Sequence, residues 1–223
     1  MITLLVFDWD DVITLGAKDG YFACYHKAIN GVGVFLSPDE EKKRILAKWS
    51  KPYREELKEL LKDNLDLVDK AVQMYEKEYW GDTFVDSLTA VTGINELLIK
   101  LKEKYILAVA TGNHPKMLKE RIIPHFNIPD VFAQIFSTFE IQDVNKMKPH
   151  PYMLEKIMKD QNCLPDETLF IGDAKTDVLT AQNAKVEPVV VLTGHLSKRE
   201  AQDLKVKHII NDITGIETVL NTI

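Results

Sequence analysis

The feature that most limits how this chain can fold is a series of short, nearly unbroken apolar runs rich in β-branched residues. They fall at 2–7, 105–110, 168–171 and 188–192, with weaker ones at 133–136 and 208–210. A strand that is apolar throughout must be covered on both faces, as in a parallel sheet packed between helices. Helical spacing fills the intervals. Ile94, Leu97, Leu98 and Leu101 recur at i, i+3, i+4 and i+7, and Leu154, Ile157 and Met158 follow the rule in part. Such alternation predicts an α/β fold: a doubly wound, mainly parallel Rossmann-like sheet with helices on both faces.

Residues 16–86 interrupt the alternation. Only helical patterns occur there: Tyr21/Tyr25/Ala28, Ile45/Leu46/Trp49, Tyr53/Leu57/Leu60/Leu61 and Val68/Val72/Tyr75/Tyr79. Ser37-Pro38-Asp39-Glu40 reads as a helix start, with Ser as N-cap and Pro at the first helical position. The expected division is a core formed by 1–15 and 87–223, with an all-helical subdomain, 16–86, inserted after the first strand.

Bulk properties exclude some partners. Lys and Arg number 28 against 34 Asp and Glu, so the cationic surplus needed to grip a nucleic-acid backbone is missing. The opening apolar run stops at Asp8 without a basic start, and no stretch reaches the ~18 apolar residues of a membrane span. Cys24 and Cys163 are far apart and outside any metal-like spacing. These features predict a cytoplasmic protein that binds neither nucleic acid nor membrane. Oligomeric state leaves no signal in the sequence.

Ligands of open α/β sheets bind beyond the carboxyl ends of the strands, so the residues just past each strand are the informative ones. Asp8 and Asp10 come after the first. Thr111-Gly112-Asn113 come after the second, Lys148-Pro149-His150-Pro151 precede a helix after the third, and Gly172-Asp173 with Asp177 come after the fourth. Each fragment alone has an ordinary explanation: a solvated strand end, a helix cap, a surface lysine, an exposed helical acid. Their joint occurrence in order, each at a strand exit or helix start, is what needs a common cause. Carboxylates gathered at one sheet edge repel unless a cation neutralises them, and Mg²⁺ suits oxygen ligands of this kind. Lys148 adds fixed positive charge. Thr111 adds a hydroxyl, and Gly112 and Asn113 can offer backbone N–H groups to an anion. The set describes a phosphoryl-binding site in which Asp8 attacks phosphorus and Asp10 handles protons.

At these residues the sequence resembles the haloacid dehalogenase-like superfamily of phosphatases. Phe7-Asp8-Trp9-Asp10 is similar to its first motif, Thr111 to its second, Lys148-Pro149-His150-Pro151 to its third and Gly172-Asp173-Ala174-Lys175-Thr176-Asp177 to its fourth. The resemblance spans essentially the whole chain. It implies a helical cap after the first motif, and Mg²⁺ held by the carboxylates of Asp8 and Asp173, the backbone carbonyl of Asp10, and Asp177 through a water. The pattern looks like the phosphoglycolate phosphatase and beta-phosphoglucomutase branch. Mutases of that branch carry a His early in the cap; Phe22 stands there, with His26 one turn onward. Asp11 departs from the Gly that usually follows the second Asp, and Lys185 from the Gly after the Ala-rich helix. A Lys is poorly suited to a left-handed cap, so that turn is expected to be built differently.

The predicted activity is Mg²⁺-dependent hydrolysis of a small phosphorylated metabolite. In the cap, Lys51 or Arg54 is a candidate grip for an anionic or hydroxyl-rich substrate tail, with Trp49 or Tyr53 packed beside it; the competing reading makes the aromatics cap core and the bases solvated. His114, His125, His150, His195 and His208 show no ligand spacing and read as structural or surface residues. The alternatives are a phosphosugar mutase of the same family, a response-regulator receiver, and a non-catalytic or regulatory binder of phosphometabolites or of a protein partner.

Overall fold

The computed structural model describes residues 1–48 and 52–223. Its strands are β1 (Leu4–Phe7), β2 (Thr14–Leu15), β3 (Thr89–Ala90), β4 (Ile106–Thr111), β5 (Phe132–Ser137), β6 (Thr168–Gly172), β7 (Glu187–Val191) and β8 (His208–Ile210). Six of them form the main sheet, in the order β5-β4-β1-β6-β7-β8. Every pairing in it is parallel. All residues of β1 and β6 are buried, as expected of runs apolar on both faces. One cluster of the core joins Val6, Ala108 and Phe170 of adjacent strands to Leu154, Ile157 and Met158 of the helix Tyr152–Gln161. The i, i+3, i+4 pattern thus marks the face that packs on the sheet.

The chain separates into two compact units, Met1–Leu15 with Thr89–Ile223, and Gly16–Leu88. The short antiparallel pair of β2 with β3 ties the chain where it leaves the core to where it returns. Two-residue strands carry no periodicity, so they leave no trace in the sequence.

The second unit is the helical cap. Its helices are Ala17–Gly31, Pro38–Ala47, Tyr53–Leu60, Val68–Trp80 and Asp82–Asp86. Ser37 caps the second as expected, its side chain accepting from the Glu40 N–H at 3.3 Å with Pro38 at the first position. Tyr25 and Tyr75 are buried in its interior and stack at 4.6 Å between ring centroids, and the more exposed Tyr53 stacks on Tyr75 at 5.0 Å. The buried Tyr25 hydroxyl donates to the equally buried Glu56. Burial of so much polar aromatic surface is tolerable only because the hydroxyls find acceptors.

The turn at Lys185 corrects an expectation. It is not built differently: Lys185 adopts the left-handed conformation, with φ 59°. The helix Lys175–Asn183 ends in a Schellman motif, Val186 N–H donating to Ala181 C=O at 2.9 Å and Lys185 N–H to Gln182 C=O at 3.1 Å. Ala181 and Val186 are both buried in the core cluster. That apolar contact holds the motif and imposes on Lys185 a conformation that glycine adopts at lower cost.

Among the described residues no helix is long and apolar enough to cross a membrane.

Candidate active site

Because β1 lies between β4 and β6, the residues leaving these strands are neighbours. Asp8 directly follows β1 and remains in register, its N–H donating to Ile171 C=O at 2.8 Å. Thr111 ends β4 and Asp173 follows β6. Lys148 lies in the loop that precedes the helix from Tyr152, and its peptide bond to Pro149 is cis. Its Nζ reaches Asp8 Oδ1 at 3.1 Å and Asp177 Oδ1 at 2.8 Å. Burial works against the Lys148 charge, but Asp177 and Asp8 outweigh it and hold the ammonium above its ordinary pKa. Burial pushes the Asp8 carboxyl well up, opposed by Lys148 and reinforced by Asp177, Asp173 and Asp10. The Lys148 ammonium therefore serves a site holding more negative charge than it can balance.

The fourth motif is shaped by close contacts. Asp177 lies in the first turn of the helix Lys175–Asn183, and its Oδ2 accepts the Ala174 N–H at 3.0 Å. A side chain on Gly172 would place its Cβ 2.7 Å from Asp177 Oδ2, so only glycine lets that carboxylate lie against the strand exit. Gly194 does the same for Asp173: a Cβ there would overlap the carboxylate. Asp173 Oδ2 accepts the His195 N–H at 2.9 Å and meets His195 Nδ1 at 2.8 Å. His195, read from the sequence as a structural or surface residue, is exposed, and it braces a site carboxylate. The signal was present: Thr193-Gly194-His195 come after a buried strand just as the other site residues do. Thr193 also donates its hydroxyl to Asp11 C=O.

Asp11 adopts a left-handed backbone conformation, with φ 55°, a region that Asp visits more readily than most residues. Its side chain is buried rather than facing solvent. The second motif departs from expectation at one atom. Asn113 N–H donates to Thr111 Oγ1 at 3.0 Å, so that N–H is already used within the turn. The Asn113 side chain instead donates from Nδ2 to Asp10 Oδ1 at 2.8 Å. Burial raises the Asp10 carboxyl to about 7, against the pull of the Asn113 hydrogen bond. Gly112 has open space where a side chain would stand.

Ligand oxygens of Asp8, Asp173 and Asp177 all lie within 4.8 Å of one another, and a second grouping joins Asp11, Asp173 and His195 on the same terms. Three largely buried carboxylates beside Lys148 suit a hard divalent cation, so the residues fit Mg²⁺. Both Asp177 oxygens are already engaged, by Lys148 and by the Ala174 N–H.

In the cap, Arg54 pairs with Asp69, and Tyr53 stacks on Tyr75 while its hydroxyl donates to Glu76 at 2.6 Å. Lys51 and Trp49 lie outside the described residues. His26, the residue that keeps a mutase reading open, meets Glu41 through Nδ1 and Asn30 through Nε2, both at 2.9 Å.

Known proteins share sequence and fold with this chain. The profile of the haloacid dehalogenase-like hydrolases matches residues 5–191. A phosphoglycolate phosphatase of Pasteurella multocida is 27% identical over 143 residues, 64% of this chain and 62% of its own length. The chain therefore spans under two thirds of the length of that relative. The pyrophosphatase PpaX of Bacillus mycoides is 29% identical over 94 residues, 42% of this chain and 43% of that protein. A solved structure from Haemophilus somnus, described as a predicted phosphoglycolate phosphatase, has the same fold at TM-score 0.81 and 19% identity, covering 98% of both chains. With its profile matched over most of the chain and its motif residues gathered at the exits of β1, β4 and β6, this chain belongs to the haloacid dehalogenase-like hydrolase family.

Proposed function

We propose that this protein is a Mg²⁺-dependent phosphatase of small phosphate monoesters that works through a phosphoaspartate on Asp8. The observation that carries the reading is the placement of Lys148 Nζ between Asp8 and Asp177, at 3.1 and 2.8 Å, beside a cluster of carboxylate oxygens able to share a cation. Asp8, Asp173 and the Asp10 carbonyl would hold Mg²⁺, with Asp177 through a water. When bound, Mg²⁺ offsets the repulsion between Asp8 and an anionic phosphate and stabilises charge on the transferring group.

The residues then divide the work. Asp8 attacks phosphorus; the bond to the ester oxygen breaks, and a proton from Asp10 goes to that oxygen. Water then attacks the phosphoaspartate. Its proton passes to Asp10, the bond from phosphorus to Asp8 breaks, and inorganic phosphate leaves. Lys148 pairs with the phosphoryl oxygens, and Thr111 and Gly112 line the turn that faces them.

The relatives' names point to phosphoglycolate and other small anionic phosphates as first candidates. Selection among them is assigned to the helical cap, where Lys51 and Arg54 are the residues to test. Turnover of a panel of phosphorylated metabolites, p-nitrophenyl phosphate included, tests the reading. Activity should require Mg²⁺, vanish on chelation and fall by at least ~10³-fold in Asp8→Asn. Turnover that survives in Asp8→Asn rejects Asp8 as the attacking group.

A further inference from the structure

We propose that the Asn113 side chain is a positioning residue that fixes Asp10 for proton transfer. The inference rests on the reading of Asp10 given above and adds to it a residue whose side chain had no assigned task.

Asn113 is 1% exposed, and the structure fixes it from several directions. Its N–H donates to Thr111 Oγ1 at 3.0 Å. Its C=O accepts from Ser137 Oγ at 2.5 Å. Ser137 is fully buried at the end of β5, paired in register with Thr111 of β4. Ser137 is itself anchored, its N–H donating to Glu140 Oε1 at 3.0 Å in a capping box. From this frame the carboxamide projects its Nδ2 onto Asp10 Oδ1 at 2.8 Å.

The other end of the amide shows which contact sets its orientation. Asn113 Oδ1 is buried and has no hydrogen-bond partner among the described residues. A buried acceptor left unpaired is unfavourable. The compensating interaction is the Nδ2–H bond to a carboxylate, which is stronger than a neutral hydrogen bond. The amide is held for its donor end.

The consequence for chemistry is geometric. Asp10 has to give a proton to the departing oxygen and later take one from water, and small displacements of such a group lower the rate steeply. Asn113 occupies Asp10 Oδ1 and leaves Oδ2 as the oxygen that exchanges the proton. Asp10 sits in a tight loop beyond β1, and Asn113 ties it to the frame of β4 and β5.

A leaving-group comparison tests this. The values of kcat/KM for p-nitrophenyl phosphate and benzyl phosphate are measured in the wild type and in Asn113→Ala, Ser137→Ala, Asp10→Asn and Asp8→Asn, with thermal melts to confirm folding. Nitrophenolate leaves without a proton, whereas benzyl alkoxide needs one. Asn113→Ala should lose roughly 30–100-fold on benzyl phosphate and less than about 3-fold on p-nitrophenyl phosphate, the same split as Asp10→Asn. Ser137→Ala should show the split at about 3–10-fold, and it carries the comparison if Asn113→Ala does not fold. Equal losses on both substrates, or none, in a folded Asn113→Ala overturn the role while Asp8→Asn stays inactive and Asp10→Asn shows the split. Activity in Asp8→Asn, or no split in Asp10→Asn, overturns the underlying reading instead.

Discussion

Lys148 Nζ lies 3.1 Å from Asp8 Oδ1, and the two side chains are only 11% and 15% exposed. The loop before the helix Tyr152–Gln161 brings the lysine to the exit of β1, and the contact holds a cation beside a carboxylate whose own burial disfavours charge. Lys148 also pairs with Asp177 at 2.8 Å, so removing the lysine leaves two buried carboxylates without their cation.

Lys148→Met should therefore weaken folding as well as activity. Loss of one member of a buried ion pair costs about 3–5 kcal/mol. Urea unfolding should show that drop at neutral pH, and added Mg²⁺ should raise the melting temperature of the variant more than that of the wild type. An unchanged unfolding midpoint would falsify the idea that Lys148 offsets the carboxylate charge.

Gly194→Ala drives a Cβ into the Asp173 carboxylate, and His195→Ala removes its Nδ1 partner. Mg²⁺ affinity, read by titration calorimetry, should fall by ~10–100-fold in the first and about 10-fold in the second. Retention of wild-type affinity in both would mean that Asp173 does not hold the cation.

Lys185→Gly should stabilise the protein. The left-handed φ of 59° costs a non-glycine residue ~1–2 kcal/mol, and the Schellman hydrogen bonds use only backbone atoms. A rise of about 1 kcal/mol in unfolding free energy, with kcat unchanged, is expected. A lower unfolding midpoint contradicts it.

Tyr25→Phe removes the donor to buried Glu56 and should destabilise the helical unit by about 1–3 kcal/mol. Hydrogen exchange should rise first in the helices Ala17–Gly31 and Tyr53–Leu60, while β1 and β6 keep their protection. Uniform loss of protection across the chain would show that the cap does not open separately.

The parallel layout and the residues at its strand exits were written into the order of amino acids. Runs buried on both faces announce a parallel sheet, and a residue just past such a run must emerge at its carboxyl edge. Asp8, Thr111 and Asp173 were legible for that reason, and Lys148 through its motif. Folding in three dimensions was needed to settle which groups meet across loops: Asn113 with Asp10, His195 with Asp173, and Gly194 with the same carboxylate. Those contacts depend on strand order and on distances between segments far apart in the chain, and no local period encodes either. Lys185 shows the same limit in reverse. Its side chain argued against a left-handed cap, but the buried Ala181–Val186 contact outweighed that preference.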